Sequence, residues 1–199
     1  IDMGIPLYLY LVKNDLKFML LIGETEEKAA QLLSGIQAQL EHNNRLKNDY
    51  GNKFNFGSWT AGDFTTTDGI KFLSIGFRQN PRGARKESER PDYIVCDDVD
   101  NKLHVNNDRM MRQSLDYITE DIWGCFDADD EATARFVYAN NNFHDKSITN
   151  RLHLYMQSVI EQQAENKKNK RPTTSKFKSV KFNILKVCAR SEEHTSELQ

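Results

Sequence analysis

The sequence has few cysteines, no long apolar run and no excess of charge of either sign. Its three cysteines are far apart, which suits a reducing compartment and gives no CxxC spacing for a metal. No apolar run reaches the ~18–20 residues that a membrane span requires. The apolar patch at residues 5–12 also lacks the basic flank of a signal peptide. With a formal net charge of -2, no overall field draws the chain to nucleic acid or to a membrane. These absences predict a cytosolic protein.

The apolar residues that are present alternate between strand-like runs and helical periods. Hydrophobic residues make up 38% of the 199 residues, which is enough for one domain with a core. The predicted order is strand, helix, hairpin, strand, helix, strand, helix, strand, at residues 17–23, 26–43, 63–77, 93–96, 106–124, 134–141, 147–163 and 179–189. Polar loops are predicted at residues 80–90 and 164–176. This alternation predicts an α/β fold with a mostly parallel sheet and helices on both faces, with ligands beyond the carboxyl ends of the strands.

Two acids directly follow one of these strands, in the stretch RPDYIVCDD at residues 90–98. Because neighbours along a strand point to opposite sides, the carboxylates of Asp97 and Asp98 are expected to do different work. The functional hypothesis is the Walker B arrangement of nucleotide hydrolases. In that arrangement Asp97 holds Mg²⁺ through water and Asp98 polarises the attacking water. The alternative is a plain strand-to-loop boundary, where Asp is a common turn residue.

The next strand also ends in polar residues, in the stretch NNNFHDKSITNRL at residues 140–152. There, Asn141 or Asn142 is placed to sense a γ-phosphate and to couple its loss to movement of the following helix. The alternative is the ordinary turn chemistry of an Asn-rich segment. His144 and Asp145 are too few to form a metal site, so His144 is expected to have a structural or hydrogen-bonding role.

The segments FLSIGFRQNPRGARKESERPDYIVCDDVDN and RFVYANNNFHDKSITNRL together resemble the large subunit of tailed-bacteriophage terminases, the DNA-packaging motors. In that family an Arg-Gly loop precedes Arg-Pro-Asp, an apolar strand and paired acids. A strand with a small polar end, an aromatic-His-acid step and a helix rich in Ile and Leu then follow. LLIGETEEKAAQLLSGIQAQLEHNNRLKNDYG also resembles the family's stretch between the phosphate loop and Walker B. The resemblance covers roughly residues 10–160.

The resemblance implies a P-loop NTPase core of the ASCE, RecA-like type that uses ATP and Mg²⁺. It assigns Asp97 to the metal, Asp98 to the catalytic carboxylate that is often Glu in relatives, and Asn141 to the coupling position where Thr is common. Arg82 or Arg85, in the Arg-Gly loop, becomes the candidate for an arginine that reaches a neighbour's nucleotide, the alternative being an exposed basic loop residue. The implied partners are double-stranded viral DNA, the portal protein, the terminase small subunit and further copies in a ring. The implied place is the cytoplasm of the infected bacterial host, without a membrane.

The phosphate-loop pattern GxxxxGK[ST] does not occur in the sequence, and GNKFNFGS at residues 51–58 has neither its spacing nor its Lys. In the family that loop lies upstream of the first strand predicted here, and residues 1–16 look like the helix that follows it. We therefore expect residues 1–189 to be part of a terminase ATPase domain that lacks its phosphate-loop unit and its nuclease domain. Such a fragment should not hydrolyse ATP. Residues 190–199, RSEEHTSELQ, resemble the translation of a sequencing-library adapter and are expected to pack against nothing.

Two other classes of protein stay open. One is a fragment of a related two-domain DNA helicase, although such proteins usually show Asp-Glu followed by Ala or Cys and His, and Ser-Ala-Thr on the next strand. The other is a non-catalytic α/β binding module, in which Asp97 and Asp98 only cap a strand. The basic stretch at residues 167–181 is predicted to be a solvated linker rather than a contact with DNA phosphates, because no aromatic lies between residues 164 and 176 to stack on bases.

Overall fold

The structure is a computed structural model that describes residues 2–81, 90–102, 105–126 and 134–170. The chain divides into two compact units, Ile1–Leu154 and Tyr155–Gln199. The described part of the second unit is helical up to Lys168. The predicted strand at residues 179–189 and the adapter-like tail at residues 190–199 lie outside the described residues.

Strands and helices alternate through the first unit, after an initial helix. The elements are α1 (Gly4–Leu11), β1 (Phe18–Gly23), α2 (Glu26–His42), α3 (Asn44–Tyr50), β2 (Trp59–Thr60), β3 (Asp63–Thr65), β4 (Lys71–Gly76), β5 (Tyr93–Asp97), α4 (Asp108–Asp116), β6 (Arg135–Ala139) and α5 (Ile148–Lys168). α4 continues directly into a π-helix (Tyr117–Ile122) and a 3₁₀ turn (Trp123–Cys125).

The described strands form one mixed sheet in the order β2-β3-β4-β1-β5-β6. β1 pairs in parallel with both β4 and β5, and β5 pairs in parallel with β6. β2 and β3 are antiparallel additions at one edge. The predicted α/β fold with a mostly parallel sheet is confirmed, and so is the side-by-side position of the strands at residues 17–23, 93–96 and 136–139.

Helix α2 begins directly beyond the ends of β1 and β4 because glycine ends both strands. A Cβ atom on Gly23 would lie 3.0 Å from the backbone nitrogen of Ala29, and one on Gly76 would lie 2.9 Å from that of Glu26. The Thr25 hydroxyl caps the helix by accepting from the Lys28 N–H at 3.3 Å. The helix can therefore lie close over the sheet and start at the edge where the parallel strands end.

Apolar side chains cover both faces of the sheet. On one face, residues from α1 and α2 pack with alternate residues of the central strands, including Val95 and Val137. Phe136 precedes Val137 on β6 and so faces the other side, where its ring meets that of Trp123 at a centroid distance of 5.6 Å. The π-helix before Trp123 is buried at Ile118 and Ile122. The prediction of helices on both faces is therefore confirmed for the described residues.

The predicted hairpin around Asp68 and Gly69 is confirmed as β3 and β4. Gly69 takes a φ of 88° in the turn, a conformation that favours glycine. Oδ2 of Asp68 pairs with the Lys53 ammonium at 2.6 Å, and its Oδ1 accepts from the hydroxyls of Thr66, at 2.7 Å, and Tyr10. These bonds hold the pKa of Asp68 down at about 2 against the effect of its burial. The hairpin is thus fastened to α1.

Two boundaries differ from the sequence prediction. α5 runs to Lys168, so the predicted loop at residues 164–176 is wrong over its first five residues. Ala, Glu and Lys there are good helix formers, and a helix does not end merely because its apolar stripe ends. α3 was not predicted; it is capped by Asn43, whose side chain accepts from the N–H groups of Arg45 and Leu46. Among the described helices, none has the length and apolar character needed to cross a membrane.

Candidate functional site

The parallel strands end at one edge of the sheet, and polar residues follow three of them. Cys96 pairs with Ile22 of β1, and Asp97 pairs with Ala139 of β6. Asp97 therefore lies level with the end of β6, one residue before Asn140. The prediction that the acids and the Asn residues meet at the same strand ends is confirmed.

Asp97 is the last residue of β5 and is partly buried. Burial raises the pKa of its carboxyl above the ordinary value, and the negative charges of Asp2 and Asp98 raise it further. Among the described residues, no hydrogen bond or salt bridge to its side chain is found. The charged form of Asp97 is therefore poorly compensated by the protein, which is the condition under which a carboxylate gains from a bound cation.

Asp98 follows β5 directly and lies in the left-handed region, with a φ of 48°. Asp and Asn tolerate this conformation better than other residues with a Cβ. Its N–H donates to the carbonyl of Ala139 at 3.0 Å, which fixes the backbone of the turn against the end of β6. The side chain is exposed. Asp98 therefore has a solvent-accessible carboxylate, while its backbone is fixed by the hydrogen bond to Ala139.

A third acid at this edge was missed from the sequence. Glu24 follows β1 directly, where its Oε1 accepts from Nδ2 of Asn101 at 2.9 Å and its Oε2 pairs with the Lys28 ammonium. The hydrogen bond to Glu24 raises the pKa of Lys28, and the negative charges of Glu24 and Asp98 add to the effect. Because Glu24 lies at the carboxyl end of a strand, as Asp97 does, the rule that ligands bind beyond these ends could have found it as well.

Asp100 is a fourth acid near the site, and it holds the loop after β5 in place. Its N–H donates to Oδ1 of Asn140 at 3.2 Å, and its own Oδ2 accepts from the N–H of Ile148 at 2.7 Å. The residue is 8% exposed. Burial raises the pKa of Asp100, and backbone N–H groups, that of Ile148 first, offset part of the shift. No local pattern marked Asp100, because its partners lie far along the chain.

The three Asn residues after β6 differ in the contacts that their side chains make. Asn140 contacts the loop after β5, whereas the side chain of Asn142 accepts from the Ser147 hydroxyl at 3.2 Å and from Nδ2 of Asn150, in the first turn of α5, at 2.9 Å. Asn141, the predicted coupling residue, is exposed beside them. The Nδ1 atom of His144 accepts from the Lys146 N–H at 3.0 Å, as expected for a hydrogen-bonding role.

The Arg-Pro-Asp segment before β5 has structural contacts. Arg90 donates to the carbonyl of Phe126 at 3.1 Å. The buried carboxylate of Asp92 accepts from the N–H groups of Lys17, at 3.1 Å, and Phe18, at 2.7 Å. The Asp92 N–H in turn donates to the Phe18 carbonyl at 3.1 Å. These bonds set the start of β5 against the start of β1 and so determine where Asp97 stands at the other end.

Arg82 and Arg85 lie outside the described residues. Within the described ranges, no three side chains of His, Cys, Asp or Glu are grouped to hold a metal ion. Asp97 and Asp98 are the adjacent pair of acids at this edge. No protein-family model, no curated protein and no solved structure matches the chain.

Proposed function

We propose that this chain is part of the ATPase domain of a tailed-bacteriophage terminase large subunit, with the P-loop NTPase type of α/β core. The observation that carries the proposal is the pair of adjacent acids, Asp97 and Asp98, at the carboxyl end of an inner strand. The exposed Asn141 lies beyond the neighbouring strand at the same edge. Open α/β sheets bind their ligands at this edge.

Asp97 is proposed as the Mg²⁺-side acid. Its partly buried carboxylate stands beside other negative charges, so a divalent cation would lower its raised pKa and stabilise its charged form. Mg²⁺ commonly binds one or two carboxylates and keeps waters and phosphate oxygens as its other ligands. Asp97 therefore fits such an ion as its protein carboxylate, and the ion would neutralise charge on the phosphates when bound.

Asp98 is proposed to polarise the attacking water, and Asn141 to sense the γ-phosphate. Asp98 suits this role because its carboxylate is exposed while its backbone is bonded to Ala139. Asn141 suits its role because its neighbours Asn140 and Asn142 make the structural bonds and leave it exposed. Both side chains can therefore meet a ligand without breaking the packing of the edge.

ATP hydrolysis is proposed for a longer protein in which a phosphate loop accompanies this chain. The proposed partners of that protein are double-stranded viral DNA, the portal protein, the small subunit and further copies in a ring, in the cytoplasm of the host. Arg82 or Arg85 is proposed to reach the nucleotide of a neighbouring copy. A helicase fragment remains the second candidate, because the paired acids after a strand fit it as well.

The metal part of the proposal can be tested on the chain itself by Mn²⁺ titration, with the free ion followed by electron paramagnetic resonance. Asp97→Asn should weaken binding by at least about tenfold, because it removes a charged ligand. Asp49→Asn is the matched control, since Asp49 is an exposed aspartate on α3, away from the edge. Equal binding by the wild type, Asp97→Asn and Asp49→Asn would refute the metal site.

The catalytic part requires the longer protein. Asp98→Asn should abolish ATP hydrolysis while nucleotide binding remains, because the change removes the group that acts on water and not one that holds phosphate. Unchanged hydrolysis would refute the role of Asp98. Uptake of duplex DNA into procapsids would support a terminase, whereas ATP-driven separation of strands without uptake would favour the helicase.

A further inference from the structure

The first turn of α5 depends on an acceptor from outside the helix. The first N–H groups of a helix have no carbonyl partner within it. The Ser147 hydroxyl accepts from the Asn150 N–H at a long 3.4 Å, whereas Oδ2 of Asp100 accepts from the Ile148 N–H at 2.7 Å. The bond to the carboxylate is the shorter, as charge-assisted hydrogen bonds are, and a negative charge suits this end of a helix. The stronger cap of α5 is therefore Asp100, which lies in the loop after β5 and not in the segment before the helix.

This contact is shielded from water. Asp100 is 8% exposed, Ile148 is 1% exposed and Ser147 is fully buried. A buried N–H that loses its acceptor cannot readily bond to water instead, so separation of the loop from the helix carries the full cost of an unsatisfied donor. The same loop is bonded through the Asp100 N–H to Asn140. Movement of the loop after β5 should therefore carry the first turn of α5 with it.

We propose that Asp100 is a positioning residue that makes the acid pair, Asp97 and Asp98, and the first turn of α5 move as one unit. The part of this inference that concerns a bound cation rests on the proposed function. The connection itself does not, because it consists of bonds within the protein. A cation that shifts the turn at Asp98 would thereby also shift the start of α5.

The competing explanation is that Asp100 is only a cap that stabilises α5. A cap would protect the Ile148 amide without any effect on the Asp98 amide, which bonds to the carbonyl of Ala139 at the end of β6 and not to α5. The two explanations therefore differ at Asp98, and residue-resolved nuclear magnetic resonance of the ¹⁵N-labelled chain can separate them.

The experiment compares the wild type with Asp100→Ala, Asp100→Asn and the control Asp145→Ala. Asp145 is an exposed aspartate just before α5, so its removal changes the charge near the helix start without breaking the bond to Ile148. Asn at position 100 keeps an oxygen that can accept from the Ile148 N–H and should therefore preserve the connection. Circular dichroism reports whether each variant retains its helices.

Without metal, amide hydrogen exchange is measured. In Asp100→Ala, protection should fall about tenfold or more at both Ile148 and Asp98, as expected for the loss of a charge-assisted bond. Protection should stay near the wild-type level in Asp100→Asn and Asp145→Ala. A fall at Ile148 alone would show a cap and overturn the proposal, as would a fall in Asp145→Ala equal to that in Asp100→Ala.

With Mg²⁺ as the probe, the wild-type amide resonances of Asp97, Asp98 and Ile148 should all shift, and Asp100→Ala should lose the shift at Ile148 only. Shifts at the acids without one at Ile148 in the wild type would overturn the proposal even if Asp100→Ala does not fold. No shift at Asp97 and Asp98 would instead count against the proposed metal site. The exchange measurement would then decide the connection separately.

Discussion

Removal of the Asp92 carboxylate should destabilise the protein by about 2–4 kcal/mol. Asp92 is 7% exposed and accepts from two backbone N–H groups, those of Lys17 and Phe18. A buried donor that loses its acceptor costs about 1–3 kcal/mol. Asp92→Ala leaves the buried N–H of Phe18 and the partly buried N–H of Lys17 without their acceptor, and the removal of a partly desolvated charge offsets part of that cost. Asp92→Asn should cost less, about 1–2 kcal/mol, because one amide oxygen can still accept from Phe18.

Urea unfolding measures this effect as a lower midpoint with an unchanged slope. Asp49→Ala is the control, because Asp49 is exposed and surface substitutions of this kind usually change stability by less than about 0.5 kcal/mol. A loss below about 1 kcal/mol for Asp92→Ala, or an equal loss for Asp49→Ala, would refute the role of Asp92 as the anchor between β1 and β5.

The pKa of Asp92 adds a pH test. Burial raises this pKa in the folded protein, and the N–H groups of Phe18 and Lys17 offset part of the rise. Between the ordinary value and the raised one, the folded state binds more protons than the unfolded state, so stability falls as the pH rises through this range. Asp92→Asn should remove this component. An unchanged pH profile in Asp92→Asn would contradict the raised pKa.

Three further predictions follow from single positions. Gly23→Ala should destabilise the protein by about 1–3 kcal/mol, because the new methyl group would contact the α2 backbone. Gly35→Ala should stabilise it by about 0.5–1 kcal/mol, because the new methyl group would meet only the Met3 sulfur, at 3.6 Å. Similar melting temperatures for the two variants would contradict this prediction. Because the pKa of Asp68 is lowered to about 2, its charged carboxylate stabilises the protein above the ordinary aspartate pKa, and this stabilisation is lost as the pH falls toward 2. Asp68→Asn should therefore reduce the dependence of stability on pH in this acid range. An unchanged dependence in Asp68→Asn would contradict the prediction. Asp98→Gly should keep its stability within about 0.5 kcal/mol, whereas Asp98→Val should cost about 1–2 kcal/mol at a positive φ. Equal urea midpoints for the two would contradict strain at this position.

Local sequence patterns were sufficient to predict most strands of the sheet and the acids at the carboxyl ends of its parallel strands. The alternation of apolar runs with helical periods predicted β1, α2, β5, β6 and α5, because each of these elements buries its own apolar face. The Asp68-Gly69 pair predicted the hairpin, since the turn needs a residue that accepts positive φ. The rule that ligands meet strand ends pointed to Asp97, Asp98 and either Asn141 or Asn142.

The residues that hold the edge together were not predictable in the same way. Asp92 and Asp100 act through backbone groups of distant segments, and no spacing in the sequence indicates which N–H a carboxylate will reach. Asn140 was passed over for Asn141 because only the register of β6 shows which of the three Asn residues faces the loop after β5. The change from α-helix to π-helix at Tyr117 could not be predicted either, since the apolar residues of this segment also fit an ordinary α-helix.

The central place of β1 in the sheet has a consequence for how the chain folds during synthesis. β1 is made before both of its neighbours, β4 and β5, which come much later in the chain. Until residue 97 has left the ribosome, the apolar segment FMLLIG lacks a partner on at least one side. Distant pairings of this kind slow folding and leave aggregation-prone strands exposed in the meantime. The nascent chain should therefore depend on chaperones over this interval, and truncations that end before β5 should be insoluble when expressed.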